Sequence, residues 1–371
     1  MSGVDTQRLV RHFIDLVRID SPSFEEGPLA ATLERELTDL GLEVRNDRSS
    51  QGNVGNIVAV MRGDRSGTPI FLAAHMDTVE PGRGIKPQID GGVIRSDGST
   101  ILAADCKASI AAILEALLVV TEDGLPHGNV EVLLTYCEEK GLMGAKALDS
   151  SLLEARMGFV IDSSNKPGSI IVEAPAQDRI VATFHGKAAH AGLEPEDGIN
   201  ALVAAADAIY NMPLGRIDEE TTANIGLIKG GSARNVVPDR VEIEGEARSR
   251  SNEKLERQTA AMVNAMEIAA KRAGARLELN VQRQYGAYRL EESSPVVQMA
   301  CLAAKDIGLQ PTLMATGGGT DANILNSRDI PTAVLGTGMS QPHSLEEHIE
   351  VEHLAELARY LVALIQRAAT A

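Results

Sequence analysis

Up to about residue 175, short apolar runs alternate with stretches of helical periodicity. The runs "NIVAVMRG", "PIFLAAH", "NVEVLLTYC" and "MGFVID" are rich in Val, Ile, Leu and Phe and are bounded by polar or turn-forming residues, which predicts strands. Between them, "KASIAAILEALLVVTEDG" and "GLMGAKALDSSLLEAR" carry apolar residues at helical spacing. Such alternation predicts an α/β domain with a mostly parallel, mixed sheet and helices on both faces.

From about residue 177 the texture changes. Strand "DRIVATFHG", a helix through "INALVAAADAIYNM", strands "ANIGLIKGG" and "DRVEIEGEARS", helix "NEKLERQTAAMVNAMEIAAKRAG" and strand "RLELNVQRQY" follow in β-α-β-β-α-β order. That order suits a small α+β domain with two helices on one sheet face. After about 290 the first texture returns with helix "PVVQMACLAAKDIG", the Gly-rich "TGGGTDANIL", strand "PTAVLG" and a last helix "EEHIEVEHLAELARYLVALIQRA". The pattern therefore predicts one α/β domain, residues 1–176 and 289–371, interrupted by an inserted domain, residues 177–288. No internal repeat or low-complexity segment is present.

Composition narrows the function. A chain of 371 residues is long for a single core, which agrees with two domains. A formal charge of -17 argues against nucleic acid and anionic membranes, and 3% aromatic residues with no Trp argue against a base-stacking surface. The first twenty residues lack the apolar core and cleavage site of a signal peptide, and the longest greasy stretch, "SIAAILEALLVV", is too short to span a membrane and carries Glu115. The widely spaced Cys106, Cys137 and Cys301 suggest neither a disulfide framework nor a thiolate zinc site, so a reducing cytoplasm is the expected location.

The ionisable residues at the predicted strand ends carry the chemistry. In open α/β sheets, functional groups gather beyond the carboxyl ends of the strands. His75 and Asp77 follow "PIFLAA", Glu138 and Glu139 follow "NVEVLLTYC", Asp162 follows "MGFVI", His343 follows "PTAVLGTGMSQP", and Asp105 directly precedes a helix. Each has a plain structural reading on its own: Asp105 as a helix N-cap, Glu138 and Glu139 as a solvated turn, Asp162 as a turn residue. Four strand ends supplying only His, Asp and Glu favour a shared site.

Imidazole and carboxylate without thiolate suit zinc, cobalt or manganese. Two His and at least three carboxylates exceed one tetrahedral zinc, whereas two ions about 3.5 to 4 Å apart, sharing a carboxylate, use them all. The adjacent Glu138 and Glu139 offer one side chain to a metal and one as general base. Asp77, two residues from His75, is placed to orient that imidazole.

Taken as a set, "AAHMDTV", "AADCKAS", "EEKGLMGAK", "VIDSS", "GKAAHAGLEPEDGINA", "GGSARNVVP", "GGGTDAN" and "PHSLEE" resemble the metallopeptidase superfamily that includes peptidase T, glutamate carboxypeptidases, aminoacylases and succinyl-diaminopimelate desuccinylase. The likeness runs through nearly the whole chain and looks closest to the peptidase T-like branch. It implies that His75 and Asp162 hold one zinc and Glu139 and His343 the other, with Asp105 bridging. It implies further that Glu138 is the base, that Asp77 clamps His75, and that the insertion is a lid and dimerisation domain. From that domain His190 would stabilise the oxyanion in a neighbouring subunit, while Asn235 and Arg248, with Gly318 of the Gly-rich loop, would contact substrate. Asn235 reads equally well as fixing the "NVVP" turn. His185 and Arg250 read as surface residues, and His12, His127, His348 and His353 as helix or loop surface.

Family members often carry Asp and Gly where this chain has Cys106 and Ser109, and the bond after the bridging Asp is commonly cis. The expected activity is metal-dependent exopeptidase cleavage of small peptides by a cytoplasmic homodimer. An N-acyl amino acid deacylase or a carboxypeptidase shares the same reaction core, so these stay open. A catalytically idle metal-dependent binding protein would have no need of Glu138.

Overall fold

In a computed structural model, which describes residues 3–47 and 54–370, the chain divides into two units. The first comprises Met1–Val172, Arg289–Ala315 and Thr320–Ala371, and the second Glu173–Tyr288 with Thr316–Gly319. The division thus falls at Glu173 rather than at 177. The loop Thr316–Gly319 groups with the second unit because Gly319 lies against the Tyr285 ring, where a Cβ would stand 2.3 Å from Cζ.

The first unit is built on a mixed sheet. Strand Ile70–His75 is buried at every position because Val130–Thr135 and Gly158–Ser163 flank it in parallel. A strand covered on both faces reads as a continuous apolar run, which explains why "IFLAAH" shows no alternation. Thr332–Gly336 continues the parallel centre beside Gly158–Ser163. Antiparallel strands close the edges: Asn56–Met61 and Glu43–Asp47 on one side, Ser169–Ala174 on the other. The four central strands therefore point their carboxyl ends the same way, which brings His75, the 136–139 turn, Asp162 and the loop after Gly336 to one edge.

Helix Ala104–Glu122 is apolar nearly all round and is buried accordingly, against Ile70–His75, Gly158–Ser163 and the helices Thr6–Val17 and Val351–Ala368. Two helical predictions change. The helix expected through "GLMGAKALDSSLLEAR" is only Met143–Ala147 with a 3-10 turn at Ser150–Leu152, since Arg328 takes the carbonyls of Lys146 and Leu148. The last helix begins at Val351, because His348–Glu350 joins a small antiparallel sheet with Val93–Arg95, Gln88–Asp90 and Met339–Ser340. His353, expected at the surface, is buried on that helix, packed against Gly338.

In the second unit a five-stranded antiparallel sheet runs in the order Gly215–Arg216, Thr221–Gly230, Arg240–Ser249, Ala176–His185, Arg276–Tyr285. Burial alternates strictly along Arg240–Ser249, so one face is core, and helices Ala201–Asn211 and Asn252–Ala273 pack against it. Asn200 and Ser251 cap these helices with their side chains. No helix among the described residues is long and apolar enough to cross a membrane.

Candidate metal centre

His75 ends a central strand, and its ring is fixed by its own neighbourhood. Nδ1 lies 2.9 Å from the carbonyl oxygen of Asp77, which makes Nδ1 the protonated nitrogen and turns the Nε2 lone pair inward. Nε2 stands 3.0 Å from Asp105 Oδ1 and 3.7 Å from Asp162 Oδ1. Across Asp105, its other oxygen lies 3.2 Å from His343 Nε2, which is 2.8 Å from Glu139 Oε1. Asp105 thus stands between two imidazoles, each with a second carboxylate beside it.

The donor atoms fall into overlapping groups, each mutually within 4.8 Å: His75, Asp105, Cys106 and Asp162; His75, Glu138 and Glu139; Asp105, Glu139 and His343. Lone pairs converging from two imidazoles and three carboxylates repel one another, and either protons or cations must hold them together. The donor set of nitrogen and oxygen atoms, shared through Asp105, fits a pair of borderline-hard divalent ions.

Without such ions the charges settle by proton uptake. Hydrogen bonds to Asp105 and Glu139 push His343 up to about 10. Burial opposes charge on His75, yet its hydrogen bonds to Asp105, Asp162 and Asp77 hold its pKa well above the ordinary value. Burial, then the charge of Asp105, raises Asp162 to about 7. Burial also resists ionisation of Asp105, but His343 and His75 hold its carboxyl well below the usual range. Burial and then the charge of Asp162 push Glu138 well above the ordinary carboxylate range in the absence of metal.

Asp77 has a broader part than orienting one ring. Its Oδ1 is 3.5 Å from His75 Nδ1, so the closer clamp is its backbone carbonyl. The carboxylate itself accepts Ser23 Oγ at 2.7 Å and the backbone N–H groups of Glu138 at 2.8 Å and Glu139 at 3.3 Å. Cys106 stands in the same group of donors, but in the absence of metal burial raises its thiol to about 12, and Sγ donates to the Ile161 carbonyl. The Asp105–Cys106 peptide bond is cis.

Sequence reasoning missed Glu347 and Asp321. Glu347 is fully buried and accepts the N–H groups of Leu102, Ala103 and Asp105. Asp321, in "GGGTDAN", accepts Thr135 Oγ1 at 2.5 Å, and its other oxygen is buried without a partner. A carboxylate in a motif already singled out for its glycines was the available signal.

The second unit carries the remaining candidates. His190 is exposed, and its Nδ1 accepts the N–H groups of Gly192 and Leu193, leaving Nε2–H free to donate. Asn235 lies next to it, beside the isolated bridge between His190 and Val236, and its carbonyl accepts the Ala191 N–H, which ties two loops together. Arg248 is bonded side-on to Glu246 through Nε and Nη2. Gly318 N donates to Thr316 Oγ1. Arg250 is half-buried rather than a surface residue, 3.7 Å from Glu173, with its Nε lacking a hydrogen bond.

A mixed α/β sheet that gathers His and carboxylate donors at the carboxyl ends of its parallel strands defines a metallohydrolase type of protein. Residues 71–367 match the profile of Peptidase family M20/M25/M40, and the chain belongs to that family. It is 43% identical to the uncharacterised protein YqjE of Bacillus subtilis strain 168 over 369 residues, 99% of this chain and 100% of that one. Among solved structures, aminopeptidase PepT from Bacillus cereus ATCC 10987 is 44% identical with a TM-score of 0.89, covering 99% of both chains. A tripeptidase from Staphylococcus aureus subsp. aureus Mu50 is 38% identical with a TM-score of 0.95, covering 100% of both.

Proposed function

We propose that this protein is a metal-dependent aminopeptidase of the peptidase T kind, acting on tripeptides or similarly small peptides. The observation that carries the reading is the buried carboxylate of Glu138 beside the cluster of His75, Asp105, Glu139, Asp162 and His343. Likeness over the full chain to an aminopeptidase and a tripeptidase supports the choice of substrate.

His75 and Asp162 hold one ion and Glu139 and His343 the other, with Asp105 shared. Zinc suits this donor set, and cobalt or manganese are its natural substitutes. When bound, the ions supply a Lewis acid for the amide carbonyl and lower the pKa of a water towards about 7. Glu138 takes the proton of the attacking water and returns it to the leaving amine, which departs neutral.

His190 donates its Nε2–H to the oxyanion from a second subunit. Asn235 and Gly318 contact the substrate, and Arg248 offers Nη1, the nitrogen not bonded to Glu246, to its carboxylate. Residues 177–288 serve as lid and dimerisation domain. A homodimer is supported by strand Thr221–Gly230, which pairs with Gly215–Arg216 at only two positions and exposes Leu227 and Ile228 beyond them. The enzyme works in the cytoplasm, and neither nucleic acid nor membrane is a partner.

The test is product analysis by mass spectrometry on a panel of di- and tripeptides and N-acyl amino acids, with chelated protein and with zinc or cobalt restored. Metal-dependent release of the N-terminal residue from tripeptides is expected, abolished in Glu138→Ala while metal stays bound. Cleavage confined to acyl or C-terminal bonds would replace the aminopeptidase with a deacylase or carboxypeptidase. Ligand binding with no turnover of any compound would overturn the enzymatic reading.

A further inference from the structure

The loop at 21–26, "SPSFEE", is laid across the segment that follows His75 and the turn that carries Glu138, and none of its residues has a part in the chemistry described above. Pro22 forms a bridge with Thr78, and Ser21 accepts the Thr78 N–H at 2.9 Å. Ser23 Oγ donates to Asp77, and the Phe24 N–H points at Cys137 Sγ, 3.1 Å away. Glu26 completes the contact: its Oε1 accepts the Cys137 N–H at 3.0 Å and the Cys137 thiol at 3.1 Å.

Three features of Glu26 set it apart from an ordinary structural carboxylate. It is fully buried, and its second oxygen has no partner, an arrangement that is costly unless the first oxygen does something of value. It occupies the N-cap position of helix Gly27–Asp39, yet makes no side-chain cap bond to that helix. Its carboxylate turns instead to the turn after strand Val130–Thr135, where Cys137 has φ 47, a left-handed conformation for a non-glycine residue. Such a conformation persists only where its surroundings hold it.

With Glu26 included, three successive amides are anchored on carboxylates: Cys137 on Glu26, Glu138 and Glu139 on Asp77. We infer that Glu26 is a positioning residue for the hydrolytic reaction, fixing through the Cys137 N–H the turn that aims the Glu138 carboxylate. The inference rests on the reading of Glu138 as the general base. Glu26 reaches no reacting atom; it acts by removing the freedom of the residue before the base, and a general base loses efficiency when its geometry slackens.

The test is steady-state kinetics of zinc-loaded Glu26→Ala, Glu26→Gln and Glu26→Asp on a tripeptide, with metal content and thermal melting measured alongside Glu138→Ala. The alanine variant is expected to lose about 10- to 100-fold in kcat, with KM within about threefold and metal content unchanged, as for other residues that orient a metal site from behind. Gln keeps the length and one acceptor oxygen, so it should recover most of kcat; Asp keeps the charge but is a methylene short, and should not. Should the alanine variant fail to fold, the order Gln above Asp still decides. Equal or better activity of Asp, a kcat within twofold in the alanine variant, or losses that track metal content alone would overturn the inference. Full activity of Glu138→Ala would overturn the general-base reading and this inference with it, whereas an inactive Glu138→Ala beside fully active Glu26 variants would overturn only the latter.

Discussion

The carboxylate of Asp77 accepts the backbone N–H of Glu138 at 2.8 Å, although the two residues follow different strands of the sheet. One side chain thereby ties the segment that follows His75 to the turn that carries Glu138. Distances between the candidate base and the candidate ligands are set by this bond rather than by either strand alone.

Asp77→Ala should therefore lower kcat about 10- to 100-fold and weaken metal binding by a similar factor. Asp77→Asn should be nearly as damaging. It presents an NH2 group where Ser23 Oγ–H or the Glu138 or Glu139 N–H now donates. Kinetics with parallel metal titration would check this, and an Asn variant with wild-type kcat would refute it.

Metal removal should make stability depend on pH in a defined direction. In the metal-free protein His343 is raised to about 10, above the 6.5 of an ordinary imidazole. A raised group adds stability that is fully present below pH 6.5 and lost as pH climbs towards 10. Asp162, raised from 3.8 to about 7, acts in the same sense over its own range. Lys107, pushed down from 10.5 to about 7 by burial, acts oppositely above pH 7, but does so whether or not metal is bound. The difference in Tm between zinc-loaded and chelated protein should consequently widen from pH 6.5 to 9. A flat difference across that range would refute the placing of the cations against His343.

The thiols should rank by burial. Cys106 is fully buried, and burial raises its thiol to about 12. Cys137 is raised by burial and then by its bond to Glu26, whereas Cys301 is partly exposed. A disulfide reagent should thus modify Cys301 first in the folded protein and reach Cys106 only on unfolding. Rapid reaction of Cys106 in folded, metal-loaded protein would reopen a thiolate role.

Much of the candidate centre was legible because a parallel sheet sends consecutive strand ends to one edge, where residue type alone marks a ligand. "IFLAAH" needed only its apolar run and its last residue. What holds those ligands was legible only in part: the spacing picked out Asp77 beside His75 but not its bonds to the Glu138 and Glu139 amides, and it marked neither Glu347 nor Glu26. Asp77, Glu347 and Glu26 all bond backbone N–H groups, and since nearly every residue has one, such a contact leaves no pair of residue types to recognise. The broken helix at Met143–Ala147 escaped for a related reason: its stop comes from Arg328, which reaches the Leu148 carbonyl across 180 positions of sequence.

Glu347 gives the strongest prediction about how the centre is held. One of its oxygens takes the N–H groups of Leu102 and Ala103, both at 2.8 Å, and the other takes that of Asp105 at 3.0 Å. Leu102 and Ala103 are fully buried, and Ala103 has φ 63, so this segment neither reaches water nor sits in a comfortable conformation. Four residues before Glu347 comes His343, so the same carboxylate fixes the loop of one candidate ligand to the backbone of another. Glu347→Ala leaves three donors without their acceptor, at about 1 to 3 kcal/mol for each that water cannot reach. A loss of roughly 3 kcal/mol or more is expected, seen as a lowered Tm, together with weaker metal binding as Asp105 loses its anchor. Glu347→Gln keeps one acceptor oxygen for either the Leu102 and Ala103 pair or Asp105, and turns an N–H towards the other. It should fall between wild type and alanine on both measurements. An alanine variant that melts with the wild type and binds zinc equally well would mean that these three bonds are not what holds Asp105 between the two imidazoles.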